Sequence, residues 1–203
     1  MNASRRSADK MRLDRRAAVA RFLRRRSNEL VITGLGSPSF DVAAAGDSPL
    51  NFYLWGAMGA AAMAGLGLAL AQPKRRVLVI TGDGEMLMAL GSLATIGCEK
   101  PDNLSIVVLD NERYGETGMQ PSHSGRGTDL AAVAQAAGFP KTYTIWTENE
   151  IDDLAKQVFT SRGLVFATIK VSADPGPVCL PPRDGAYLRS RFREALLGPD
   201  AHT

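Results

Sequence analysis

The sequence predicts an α/β protein: an open, mainly parallel sheet with helices on both faces. Three observations carry that prediction. Short apolar runs alternate with longer helical patterns along the chain. Two of the runs, Val77-Leu78-Val79-Ile80 and Leu104-Ser105-Ile106-Val107-Val108-Leu109, are nearly unbroken, as strands covered on both faces are. Each gives way at once to a turn containing Gly, Asp or Asn. Ligands of such sheets sit at the carboxyl ends of the strands, so these turns are where function is sought.

The elements follow in a regular order. A basic helix over 8–27 leads to the short strand Leu30-Val31-Ile32. A helix of small residues from Trp55 to Ala71 is expected to be buried, and Gln72 and Pro73 stop it. The strand at Val77–Ile80 precedes a helix over Met86–Ile96, and the strand at Leu104–Leu109 precedes a polar loop over 110–128. A helical pattern beginning at Asp129 closes at Gly138. A strand near Tyr143–Trp146, a helix over Glu148–Phe159 and a strand over Leu164–Val171 complete the alternation. The tail beyond Pro175 is expected to end in a helix. A single domain over 1–203 is expected, with the basic helix of 1–27 and an extension over 172–203 at its ends.

With 203 residues, 45% hydrophobic and 22% charged, the chain can build one α/β core. Net charge is only +3, and the basic excess lies in the first 26 residues. Met11, Val19, Phe22 and Leu23 share a side there, which favours a solvated helix face over a nucleic-acid arm. Asp9, Asp14 and Glu29 dilute a transit-peptide pattern. The two cysteines, Cys98 and Cys179, form no CxxC pair, which excludes cysteine-ligated iron–sulfur clusters and a disulfide framework. Reduced thiols point to the cytoplasm, with Cys98 expected in the core. Gly56 to Ala71 is too short and glycine-rich for a membrane span.

Three strand ends carry unusual chemistry. Thr33-Gly34-Leu35-Gly36-Ser37 can turn backbone N–H groups toward a phosphate, or can be an ordinary turn. Thr81-Gly82-Asp83-Gly84-Glu85 opens the next helix. Asp83 there is either a helix cap or a hard oxygen ligand. A carboxylate beside an anion-binding turn calls for a bridging cation, and Mg2+ takes carboxylate, carbonyl and phosphate oxygens together. Asp110-Asn111-Glu112-Arg113-Tyr114-Gly115 offers the Asn111 amide oxygen and the Arg113 carbonyl, although Asp-Asn is also a common turn pair.

The spacing joins these turns. Asp83 and Asn111 lie 28 positions apart, each after a buried strand with one helix between. Gly-Asp-Gly, a helix and then Asn resembles the motif of the thiamine diphosphate-dependent decarboxylase family. Gly56-Ala57-Met58-Gly59, with Met58 standing 25 positions before Asp83, strengthens the resemblance. So do Asn51-Phe52-Tyr53, Leu66 to Gln72, Tyr114 to Pro121 and Asp129 to Ala132. Within the family, the chain resembles sulfopyruvate decarboxylase β subunits and phosphonopyruvate decarboxylases. Asp110 departs from the pattern, which often has a second asparagine there.

The resemblance implies thiamine diphosphate and Mg2+ as cofactors. Asp83, Asn111 and the Arg113 carbonyl would take the metal. Thr33, Gly34, Leu35, Gly36, Gly82, Gly84, Glu85, Tyr114 and Gly115 would surround the diphosphate. Met58 would wedge between the cofactor's rings and the Gly56 carbonyl would hold its amino group. It implies decarboxylation of a small 2-oxo acid, with Arg113, His123 and Arg126 near enough to the loop to meet an anionic tail. Carboligation, as by acetohydroxyacid synthase, would use the same residues, and a non-catalytic binding module is the alternative of another class. The glutamate that activates the pyrimidine lies, in this family, on a separate pyrimidine-binding domain. One domain is present here, so an α subunit is implied, in an α/β hetero-oligomer of α2β2 or larger; neither nucleic acid nor membrane is expected as a partner.

Overall fold

The structure, a computed structural model, describes residues 12 to 202. In chain order its elements are α1 (Arg15–Leu23), β1 (Leu30–Thr33), α2 (Ser37–Ala44), β2 (Asn51–Tyr53), α3 (Ala61–Ala71), β3 (Val77–Gly82), α4 (Asp83–Met88), α5 (Ser92–Glu99) and β4 (Leu104–Asp110). There follow a two-residue hairpin, β5 (Arg113–Tyr114) and β6 (Gln120–Pro121), then α6 (Leu130–Ala136), β7 (Lys141–Ile145), α7 (Glu148–Thr160), β8 (Val165–Lys170) and α8 (Gly185–Leu197).

Six strands form one parallel sheet in the order β2-β1-β3-β4-β8-β7. The α/β reading is thus correct. Alternate residues of each strand feed two cores. Val77, Val79, Leu104 and Ile106 pack under α3, α5 and α6, and Leu78, Ile80, Val107 and Leu109 pack under α1, α2 and α7. The chain leaves β1 toward β2 on one side and leaves β3 toward β4 on the other. Their carboxyl ends therefore diverge, and the crevice between them is where this kind of sheet binds ligands.

Several boundaries differ from expectation for local reasons. The first described helix begins at Arg15, where Asp14 caps it by accepting from the Ala17 N–H at 2.6 Å; the expected start at residue 8 lies outside the described residues. The small-residue helix starts at Ala61 rather than Trp55, because Gly59 adopts φ +82°, which no helix contains. It buries one face only, and Met63 and Leu70 are exposed. The expected helix over Met86–Ile96 is two helices, α4 and α5, divided at Ala89–Gly91. Helix α2, strand β2 and the hairpin were not read from the sequence.

The basic run is only partly a solvated face. Arg24 and Arg25 are exposed. Arg15 and Arg16, however, both hold the buried Asp41, and Arg21 bridges to Asp152 and Glu148 on α7. Cys98 is exposed, not in the core, since α5 turns Leu93 and Ile96 inward instead. At the other terminus, Phe192 of α8 packs against Phe52 with ring centroids 5.6 Å apart, which covers the β2 edge.

Candidate active site

A cleft of about 250 Å³ opens at the carboxyl ends of β1, β3 and β4. Asp83, the first residue of α4, forms part of its floor and is 2% exposed. The pairing of Gly82 with Leu109 makes Asp83 and Asp110 leave the sheet at one level, and Asn111 follows into the same cleft. Asn111 Oδ1 accepts the Arg113 N–H at 2.9 Å, a side-chain turn that Glu112 completes with φ 59°. The sequence motif thus becomes a spatial one.

Asp83 Oδ2 faces two hydroxyls. Ser122 Oγ donates to its Oδ2 at 2.5 Å, and Ser124 Oγ lies 3.1 Å from the same oxygen. Burial raises the Asp83 pKa to about 6, and the neighbouring charge of Asp110 adds to the effect, against the serine hydrogen bonds. Among the described residues no cation pairs with it. A buried carboxylate in that condition is stabilised by an incoming cation.

Asp110 is compensated. Lys170 Nζ donates to its Oδ2 at 2.6 Å and reaches Glu112 Oε1 at 3.1 Å. Burial lowers the Lys170 pKa, but these two carboxylates outweigh it and hold the ammonium above its ordinary value. Arg12 and Lys170 in turn keep Glu112 below the usual carboxylate range despite its partial burial.

The remaining walls come from glycine turns and their neighbours. Gly84 lies under the Tyr114 ring, and a Cβ there would come within 3.0 Å of it. A Cβ on Gly34 would overlap the Glu85 carboxylate at 1.7 Å. Glu85 Oε2 accepts the Leu35 N–H at 2.7 Å, and Gly34 N–H bonds the Ile80 carbonyl at 3.0 Å. Those two N–H groups stitch β1 to β3 and α4 in this structure. Thr33 is fully buried and shares its hydroxyl with Ser39 at 2.5 Å. Both arrangements answer the internal demand for hydrogen bonds at a buried strand end. Leu35 and Glu85 still line the cleft by their side chains.

Met58 reaches the cleft from the loop before α3 and is 48% exposed, beside Met88, which is 59% exposed. Gly56 is exposed on the same loop, outside the cleft wall. Of the three cations considered for an anionic tail, Arg113 lines the cleft. His123 instead bonds the Tyr114 hydroxyl through Nδ1 at 2.5 Å, and Arg126 is exposed away from the wall. Ser37 lines the cleft with the turn read for it, and Arg15, Pro38, Met88, Glu116 and Thr117 line it without having been predicted.

The comparisons with known proteins agree with this geometry. The family model described as thiamine pyrophosphate enzyme, C-terminal TPP binding domain, matches residues 34–169. The chain belongs to the thiamine pyrophosphate enzyme family. It is 40% identical over 192 residues to sulfopyruvate decarboxylase subunit beta of Methanothermobacter thermautotrophicus, covering 93% of this chain and 98% of that one. It is 37% identical over 175 residues to phosphonopyruvate decarboxylase of Streptomyces viridochromogenes, covering 85% of this chain but 43% of that one. The fold is that of benzoylformate decarboxylase from Polynucleobacter necessarius, with TM-score 0.64 and 20% identity over 80% of this chain and 34% of the other. The chain is accordingly a carboxy-lyase subunit of the thiamine pyrophosphate enzymes.

The residues present suit the diphosphate end of thiamine diphosphate. Glu85 and Glu116 also line the cleft, so a diphosphate can rest there only with a cation beside it. Among the described residues no three His, Cys, Asp or Glu side chains gather as a metal cluster. The cation would instead meet one carboxylate, one amide oxygen and a carbonyl, leaving its other positions to phosphate oxygens, a hard-oxygen set of the kind Mg2+ prefers. Among the described residues no helix is long and apolar enough to cross a membrane.

Proposed function

We propose that the chain is the β subunit of a two-subunit, Mg2+-dependent 2-oxo acid decarboxylase. Its substrate would be a small pyruvate with an anionic substituent at C3, sulfopyruvate-like or phosphonopyruvate-like, released as an aldehyde and CO2. The observation that carries this reading is Asp83, a buried carboxylate without a cation partner among the described residues, set beside Asn111 at two adjacent strand ends. In this reading Asp83, the Asn111 amide oxygen and the Arg113 carbonyl hold Mg2+. Gly36, Gly82, Gly84, Tyr114 and Gly115 border the diphosphate, Met58 props the cofactor's rings and the Gly56 carbonyl meets its amino group. The bound cofactor supplies the electron sink that a 2-oxo acid needs to lose CO2. Arg113 places a cation on the wall for the substrate's anionic substituent.

The carboxylate that activates the cofactor's pyrimidine is assigned to a pyrimidine-binding α subunit, in an α/β hetero-oligomer of α2β2 or larger. Two observations support a partner. The chain spans only 43% of the length of the Streptomyces viridochromogenes phosphonopyruvate decarboxylase that it matches. Met58 and Met88 stand open to solvent where the rings would lie. The two free cysteines suit a cytoplasmic enzyme.

The test is to purify the chain with the protein that accompanies it and offer the pair a panel of 2-oxo acids with Mg2+ and thiamine diphosphate. CO2 and a free aldehyde are expected from an anionic 3-substituted pyruvate. A ligated hydroxy-ketone would replace decarboxylase by carboligase, and no CO2 from any acid would sink both.

A further inference from the structure

Two buried carboxylates, Asp83 and Asp110, stand at one level on neighbouring strands. A site for a single divalent cation must distinguish them, since charge alone does not. Their hydrogen bonds do. Asp110 Oδ1 accepts the Glu112 N–H at 3.0 Å and the Ser124 hydroxyl at 2.7 Å, and its Oδ2 receives Lys170 Nζ at 2.6 Å. Both of its oxygens are thus committed. On Asp83 the Ser122 hydroxyl donates to Oδ2, Ser124 Oγ lies 3.1 Å from the same oxygen with its single proton given to Asp110, and among the described residues no side chain bonds Oδ1.

The charges tell the same story. Asp83, Asp110 and Glu112 are three carboxylates, and among the described residues Lys170 and Arg12 are the cations in ion-pair contact with members of that set. Both cations fall on Asp110 and Glu112, so the unbalanced negative charge sits on Asp83. Arg113 lines the same cleft, but among the described residues its guanidinium forms no ion pair with these three carboxylates and bonds the Glu112 carbonyl at 3.2 Å. Lys170 is the last residue of β8, in register with Asp110, and the Trp146 ring lies 5.7 Å from its Nζ. The parallel sheet therefore fixes the cation opposite the carboxylate it holds.

We infer that Lys170 is a positioning residue that reserves the metal for Asp83: by closing Asp110 into an ion pair it makes two adjacent carboxylates inequivalent. The inference rests on the reading of the cleft as a Mg2+–diphosphate site. Without Lys170, Asp110 competes for the cation and adds a bare negative charge next to the diphosphate. Metal binding and cofactor binding then move in opposite directions, which simple loss of structure does not produce. Neutralising Asp110 as well removes the competitor.

The test compares wild type, Lys170→Met and the double variant Asp110→Asn/Lys170→Met, each purified with the partner chain. Mn2+ alone is titrated by electron paramagnetic resonance, and thiamine diphosphate at saturating Mn2+ by calorimetry. Lys170→Met is expected to weaken cofactor binding about 10-fold or more while Mn2+ binds at least as tightly as in wild type. The double variant is expected to recover cofactor binding to within about 3-fold of wild type. Cofactor affinity unchanged in Lys170→Met would overturn the inference, as would loss of both ligands, or a double variant as weak as the single one. Failure of the wild-type complex to bind the cofactor with Mn2+ is a different result, and overturns the reading of the site together with this inference.

Discussion

The two ends of the cleft are built differently. At one end Asp83, Asp110, Ser122, Ser124 and Lys170 form a buried, interlocked set of hydrogen bonds and an ion pair. At the other, Met58 and Met88 project half-exposed from a loop and a helix end, and among the described residues no hydrogen bond fixes them. The polar end is preorganised inside this chain, as a site for a charged group must be, because reorganising dipoles around an ion is costly. The apolar end is unfinished. Flexible thioethers adapt to what is placed on them, and a second surface can complete them. In the proposed reading the contrast divides the work: this chain would recognise charge alone, and would shape the rings only with help from the α subunit.

That division can be broken from either side. The largest effect is expected at the polar end. Asp83→Ala in the complex should weaken Mg2+-dependent cofactor binding by about 100-fold or more, since it removes the carboxylate that the proposed reading gives to the metal. Calorimetry showing wild-type affinity would mean the polar end is not the metal site. A smaller and different effect is expected at the apolar end. Met58→Ala should lower kcat by about 10- to 100-fold through misplaced rings, with cofactor affinity within about 3-fold of wild type. Equal losses in kcat and in affinity would erase the distinction between the two ends.

The smallest effect concerns the metal-free chain. The Asp83 carboxyl titrates at about 6 in the fold, above its ordinary value of 3.8. Between those values the folded chain holds a proton that the unfolded chain has released. The stability this confers is present below the unfolded value and lost as pH rises through 6. Urea unfolding of metal-free protein should therefore show less stability at pH 7 than at pH 4.5 from this group. Asp83→Asn should lack that slope and gain about 1–2 kcal/mol at pH 7. A steeper fall in the asparagine variant would show that Asp83 is not strained by its burial.

Some of the site was legible because its signals are local. Gly82-Asp83-Gly84 and Asn111 each adjoin a β-branched run, so strand ends and ligand candidates could be read together. The open parallel sheet followed from the same runs. Met58 was found by its spacing from Asp83, although it lies on a loop and not the helix that the small residues suggested. Gly59, with its positive φ, was the overlooked stop signal.

Other parts had weak signals or none. Ser122 and Ser124 sit in a polar loop like many others, and nothing in the sequence couples them to Asp83, about 40 positions earlier. Lys170 did carry a hint, as a charge closing the apolar run Val165-Phe166-Ala167-Thr168-Ile169. Its meaning depends on β8 lying beside β4, and in the sequence β7 and α7 intervene. Arg15 looked like one charge among ten, yet its guanidinium holds Asp41 and reaches the Pro175 carbonyl at 3.0 Å.

The sequence by itself determined the strands, the turns that end them and the hard-oxygen residues those turns display. These depend on side-chain period, backbone freedom and spacing within a few residues of each other. Only the tertiary structure decided which carboxylate is paired and which is left for a cation. Burial and charge compensation are properties of neighbours in space, and here those neighbours come from β3, β4, β8 and the loop after β6.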